Sequence, residues 1–109
     1  MSHAASHPPS LEEVRAVVRS VCRRYPVARV QLFGSMAKGI ARESSDVDLL
    51  VEYSPETRVG LLEMGALKED LEERLGCRVD LLERAAVERS RNPYRRHSIL
   101  SEPLTIYAR

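Results

Sequence analysis

Residues 32–51 read LFGSMAKGIARESSDVDLLV, and the way this stretch divides decides the fold. Its second half places Asp46-Val47-Asp48 at the head of an apolar run that reaches Tyr53. Successive side chains on a strand point to opposite faces. A strand over 46–53 therefore projects Asp46 and Asp48 from one face and turns Val47, Leu49 and Val51 into a core on the other. Neighbouring carboxylates raise each other's cost of ionising, and aspartate works against strand propensity. A well-formed element that breaks its own rule often does so for function; a solvated acidic edge strand is the plainer alternative. All-oxygen donors suit a hard cation, Mg²⁺ or Mn²⁺, which takes a few carboxylates and leaves its other positions to water and phosphate oxygens.

The first half of the stretch ends a strand at Gly34, a residue free to adopt backbone angles closed to others. Ser35 then opens a short helix to about Ile40, with Lys38 one turn in. Ser35 reads as a helix N-cap. A hydroxyl beside the N–H groups of a helix start also makes a phosphate-binding corner, and one geometry serves both uses. Lys38 is either a surface lysine or a point charge for a triphosphate. A phosphate corner next to a metal-binding carboxylate pair points to nucleotide phosphoryl chemistry.

Upstream, Ser10-Leu11-Glu12-Glu13 forms a capping box. Leu11, Val14, Val17, Val18, Val21 and Cys22 follow at amphipathic spacing, predicting a helix to about Arg24 that stops before Pro26. Its arginines, Arg15, Arg19, Arg23 and Arg24, read as a solvated opposite face. Val27–Phe33 is the first strand, with Ala28, Val30 and Leu32 inward. Downstream, residues 60–75 make a second long helix through Leu61, Met64, Leu67, Leu71 and Leu75. Glu69, Asp70, Glu72 and Glu73 face out, and Gly76 is the C-cap. Cys77 to Leu82 is a third strand that buries Val79 and Leu81 and turns Asp80 the other way. Residues 85–91 and 94–100 are helical turns separated at Pro93, and Leu104–Tyr107 is a short edge strand. Residues 1–9 read as a disordered tail, leaving 10–109 as one domain. Helices alternating with strands predict an α/β (α+β) layer packed on a small sheet.

The motif set resembles the minimal nucleotidyltransferases of the DNA polymerase β superfamily: Gly34-Ser35, ten intervening residues, then Asp46-x-Asp48. The likeness runs from the first helix to the C-terminus, through Arg78-Val79-Asp80-Leu81-Leu82 and the tail with Ile99-Leu100 and Ile106-Tyr107. Fixed spacing over several elements is far more specific than a lone glycine loop. The resemblance implies a polymerase-β-like fold, a mixed sheet with helices on one face and the carboxylates on its open face. It makes Asp80, otherwise readable as an N-cap or surface residue, the third metal-site carboxylate, close to the attacking hydroxyl. Asp46, Asp48 and Asp80 then hold two Mg²⁺ ions (or Mn²⁺) about 3.5–4 Å apart. Gly34, Ser35 and Lys38 bind the triphosphate of ATP.

Composition narrows the function classes. The 109 residues are 43% hydrophobic and 30% charged, as in ordinary globular chains. No apolar run approaches the roughly 18 residues of a membrane span, and no secretory signal pattern opens the chain. Cys22 and Cys77 lack metal-ligand spacing and read as reduced, half-buried fillers of a cytoplasmic protein. A net charge of +1 gives no long-range pull on nucleic acid or membrane. The late cluster Arg89, Arg91, Arg95 and Arg96 suits a polyanion or an acidic partner surface as well as it suits solvent. His97 reads as a surface residue, and Tyr94 and Tyr107 as packing residues.

A chain this short has no further domain to hold a polymer or an antibiotic. Minimal nucleotidyltransferases of this type resemble the antitoxin half of toxin–antitoxin pairs, with a HEPN-domain ribonuclease of the HepT type as partner and transfer of AMP to a tyrosine of that toxin. Two other readings compete. One is a binding-only antitoxin or scaffold with an unused metal site. The other is a small-molecule nucleotidyltransferase, whose relatives carry an extra helical domain. The acceptor, the base preference and the oligomeric state, including a homo-oligomer, stay open.

Overall fold

A computed structural model describes residues 9–34, 47–100 and 103–109. The 1–8 part of the tail, the expected helix after Gly34 and the polar connection before Val47 lie outside the described residues, and with them Ser35, Lys38 and Asp46. Four strands form one sheet in the order β3-β2-β1-β4. β1 (Val27–Phe33) pairs antiparallel with both β2 (Val47–Tyr53) and β4 (Leu104–Ala108), while β3 (Val79–Glu83) runs parallel to β2. The sheet is mixed, as expected, and β4 is an edge strand.

Two long helices cover one face. α1 (Leu11–Cys22) starts in the capping box read from sequence: Glu13 N–H donates to Ser10 Oγ at 3.1 Å, and Ser10 N–H donates to Glu13 Oε1 at 2.7 Å. α2 (Leu61–Leu75) ends at Gly76, whose φ of 70° suits a residue without a Cβ. Between these helices and the sheet lie Val14, Val18, Val21, Val30, Leu32, Val47, Leu49, Val51, Leu67, Leu71 and Val79, all buried. The expectation of helices on one face describes this long pair. Two short helices, α3 (Arg84–Glu88) and α4 (Pro93–Leu100), add Val87 and Ile99 to a second, smaller cluster with Phe33 and Leu50 on the opposite face. Pro93 opens α4, where its missing N–H costs nothing.

Several sequence expectations need correction. A register irregularity between Val27 and Arg29 puts Val27, rather than Ala28, in the core. Leu61 does not join the buried α2 stripe: it is 88% exposed, like Leu62. Two α2 carboxylates expected in solvent are engaged. Asp70 accepts a hydrogen bond from Tyr25 Oη at 2.7 Å, which raises the Tyr25 pKa, and Glu72 accepts one from Val79 N–H at 2.9 Å. Cys22 is fully buried rather than half-buried, and burial pushes its thiol up to about 12. Tyr94 is 86% exposed rather than packed.

Candidate active site

The strand alternation places the acids. In β2, Val47, Leu49 and Val51 face α1 and α2, so Asp48 and Leu50 face the other side. β3 aligns with β2 residue for residue, pairing Val47 with Val79, Asp48 with Asp80 and Leu50 with Leu82. Parallel partners at one register project to the same face, about 4.8 Å apart between strands. Asp48 and Asp80 are therefore lateral neighbours on the face away from the long helices. Asp48 is half-buried and Asp80 is exposed.

Three rows run along this face. The first holds Asp80, Asp48 and Phe33, the β1 partner of Asp48. The second is apolar at Leu82 and Leu50 and ends in buried Gln31, whose Nε2 donates to Thr105 Oγ1 at 3.1 Å. α3 and α4 cover that middle row through Val87 and Ile99. The third row is ionic, with Arg29 Nη2 and Glu52 Oε1 2.7 Å apart. The acids thus occupy the end of the sheet where β1 leaves and β2 enters.

Gly34 completes the described part of the site. Its φ is 79°, in the region that favours glycine, and a Cβ built there would fall on the Asp48 carboxylate. The turn after β1 therefore presses its bare backbone against the acid. Any side chain at position 34 would both strain the backbone and displace Asp48. Asp48 and Asp80 supply an oxygen-only donor pair, and the missing Gly34 side chain leaves its place to the Asp48 carboxylate. That chemistry fits a hard divalent cation with phosphate oxygens as its other partners. Of the residues singled out from sequence, the structure brings together Gly34, Asp48 and Asp80. Ser35, Lys38 and Asp46 lie outside the described residues.

Two supports of this site were not read from the sequence. Glu72 holds the N–H of Val79, the first residue of β3, and so pins the strand that carries Asp80. Arg84 donates to Gln31 Oε1 at 2.6 Å and pairs with Glu88 at 2.9 Å, tying α3 to the middle row. Charged residues at helical spacing give no sign of such long-range partners. In the late basic cluster, Arg89, Arg91 and Arg96 are exposed and have no carboxylate partner among the described residues. Arg96 and exposed His97 line a groove of about 600 Å³ with Pro93 and Leu100.

Comparison with known proteins places the chain in a family. Residues 14–104 match the family model of the nucleotidyltransferase domain. A Thermococcus cleftensis protein named protein adenylyltransferase MntA is 36% identical over 83 residues, which cover 72% of this chain and 82% of that one. A solved structure described as a candidate minimal nucleotidyltransferase superposes with a TM-score of 0.67 at 39% identity, over 86% of this chain and 90% of that one. The fold also matches, at a TM-score of 0.60 and 13% identity, a chain from the complex of a tri-AMPylated Shewanella oneidensis HEPN toxin with its MNT antitoxin, over 90% of this chain and 72% of that one.

Proposed function

The chain belongs to the nucleotidyltransferase domain family, and from that premise we propose that it is a divalent-metal-dependent protein adenylyltransferase, the antitoxin of a HEPN-domain ribonuclease of the HepT type. It moves AMP from ATP to a tyrosine of that toxin in the cytoplasm. The observation that carries the reading is the shared register of Asp48 and Asp80 beside the bare backbone of Gly34. Support for the acceptor class comes from the relative named a protein adenylyltransferase and from the AMPylated toxin of the structural neighbour.

The residues divide the work. Gly34, with the Ser35 hydroxyl and the N–H groups that follow it, receives the β- and γ-phosphates, and Lys38 adds a point charge. Asp46, Asp48 and Asp80 would hold Mg²⁺ or Mn²⁺, which when bound neutralises charge on the triphosphate and acidifies the acceptor hydroxyl. Asp80, the exposed member, faces the incoming tyrosine and accepts its proton. The phenolic oxygen forms a bond to the α-phosphorus as the bond from that phosphorus to the bridging oxygen breaks, and pyrophosphate leaves. Half-buried Asp48 stays fixed against Gly34, so the phosphates and the acceptor meet in one orientation. Positioning and electrostatics supply most of the acceleration, as in other phosphoryl transfers.

The test is direct. The protein is incubated with the product of the adjacent toxin gene, ATP and Mg²⁺, and intact masses of both chains are recorded. A gain of adenylyl groups on the toxin, abolished by Asp48→Asn and by chelation, is the expected result. Tight toxin binding with no mass gain, unchanged by Asp48→Asn, would replace the enzyme with a scaffold.

A further inference from the structure

The face of α1 opposite the core carries a feature the transfer chemistry does not use. Arg15, Arg19 and Arg23 recur every fourth residue and, with residues 105–108 of β4, line an open groove of about 460 Å³. None of the three guanidinium groups has a carboxylate or hydrogen-bond partner among the described residues. The Nε of Arg15 is shielded from solvent and has no hydrogen-bond partner among the described residues, which costs free energy until something accepts from it. Nearby Arg109 is committed elsewhere, to Tyr107 Oη and to the carbonyls of Arg23 and Tyr25. Beside the arginines, β4 ends the sheet, and its outer edge is unpaired among the described residues.

We propose that this groove docks an extended acidic segment of a partner protein, which adds to β4 as a fifth strand and lays its carboxylates on Arg15, Arg19 and Arg23. The spacings agree. Four residues of helix advance about 6 Å, and two residues of strand about 6.6–6.8 Å, so every second side chain of the added strand meets the next arginine. Both sets of residues line the same groove, so a segment lying in it meets the arginines and the β4 edge at once. An unpaired strand edge offers a backbone ladder that a protein segment can complete and a nucleic acid cannot. The chain's own first residues, MSHAASHP, carry no carboxylate and do not complement the arginines. Solvation, the reading from sequence, explains exposed Arg19 and Arg23 but leaves the buried Nε of Arg15 unexplained. The site lies apart from Asp48 and Asp80, so docking stands or falls independently of transfer.

The test uses the full chain and a fluorescent peptide alternating Glu and Val. The expected result is saturable binding that weakens with salt and falls at least about tenfold in Arg19→Glu/Arg23→Glu. Hydrogen exchange of the amides in 104–108 should slow when the peptide binds. Both arginines are exposed, and Arg19→Gln/Arg23→Gln with an unchanged melting temperature checks that the loss is not unfolding. Asp48→Asn should bind the peptide as the wild type does. The proposal is overturned by no peptide binding, by binding indifferent to the arginines, or by equal affinity for a control peptide that alternates Gln and Val. Displacement of the peptide by a single-stranded oligonucleotide with the same arginine dependence would make the groove a nucleic-acid surface instead. A dimer lost in the same variants, with no peptide bound, would make it an interface between copies.

Discussion

The two faces of the sheet are built from the same strands and obey opposite rules. Toward α1 and α2 the strands present Val30, Leu32, Val47, Leu49, Val51 and Val79, all buried in one continuous core. On the other face the same strands present Asp48, Asp80, Gln31 and Arg29, with only a small apolar patch beneath α3 and α4. Folding energy is concentrated on the first face and polar chemistry on the second. Neighbours in the chain therefore belong to different functions, and substitutions one residue apart should have unlike effects.

The sharpest test of that division is Asp48 against Leu49. Asp48→Asn should lower AMP transfer by about 10³-fold, the scale of removing one strong electrostatic contact in an active site, while the melting temperature holds or rises as carboxylate repulsion is relieved. Leu49→Ala, one residue on and fully buried, should cost about 3 kcal/mol in denaturant titrations. An Asp48→Asn protein that loses as much stability as Leu49→Ala would break the comparison. Glu72→Ala probes the joint between the faces: losing the acceptor of the Val79 N–H should cost about 2 kcal/mol and lower transfer as well, because β3 carries Asp80.

Alkaline titration examines the core face alone. Burial raises the Cys22 thiol from 9.0 to about 12, and burial also raises the Tyr53 phenol to about 12. A folded-state pKa above the unfolded one gives stability that is complete below the unfolded value and lost as pH climbs toward the folded one. Unfolding free energy should thus fall above about pH 9 through Cys22 and above about pH 10 through Tyr53 as well, by up to about 1.4 kcal/mol per pH unit for each group, and Cys22→Ala should flatten the slope. The smallest effect belongs to the α1 cap, where Ser10→Ala should cost about 1 kcal/mol without touching transfer.

Much of this was legible because alternation and helical periodicity are local. Residues 46–53 announce which way Asp48 points, and Ser10 to Glu13 announce the start of α1 with no knowledge of the fold. The pairing of Asp48 with Asp80 was legible only through the family likeness, since strand order is a property of the whole chain. Glu72, Asp70 and Arg84 escaped for a related reason: a charged residue on a helix looks the same whether it meets water or a backbone group seven residues away. Leu61 is not read correctly because periodicity shows the stripe of a helix but not how much of that stripe is covered. The bulge at Ala28 was equally hidden, as nothing at that position forces an extra residue into the strand.

The residue-for-residue alignment of β3 on β2 has a consequence for misfolding. Because core-facing and acid-bearing positions are interleaved, a slip of one residue would carry Val79 and Leu81 into water and drive Asp80 under α2. Such a register would open the core and bury a carboxylate in one step, so a chain that loses the geometry of its site in this way loses its compact fold with it. Surveillance of the chain's fold would then double as surveillance of its chemistry.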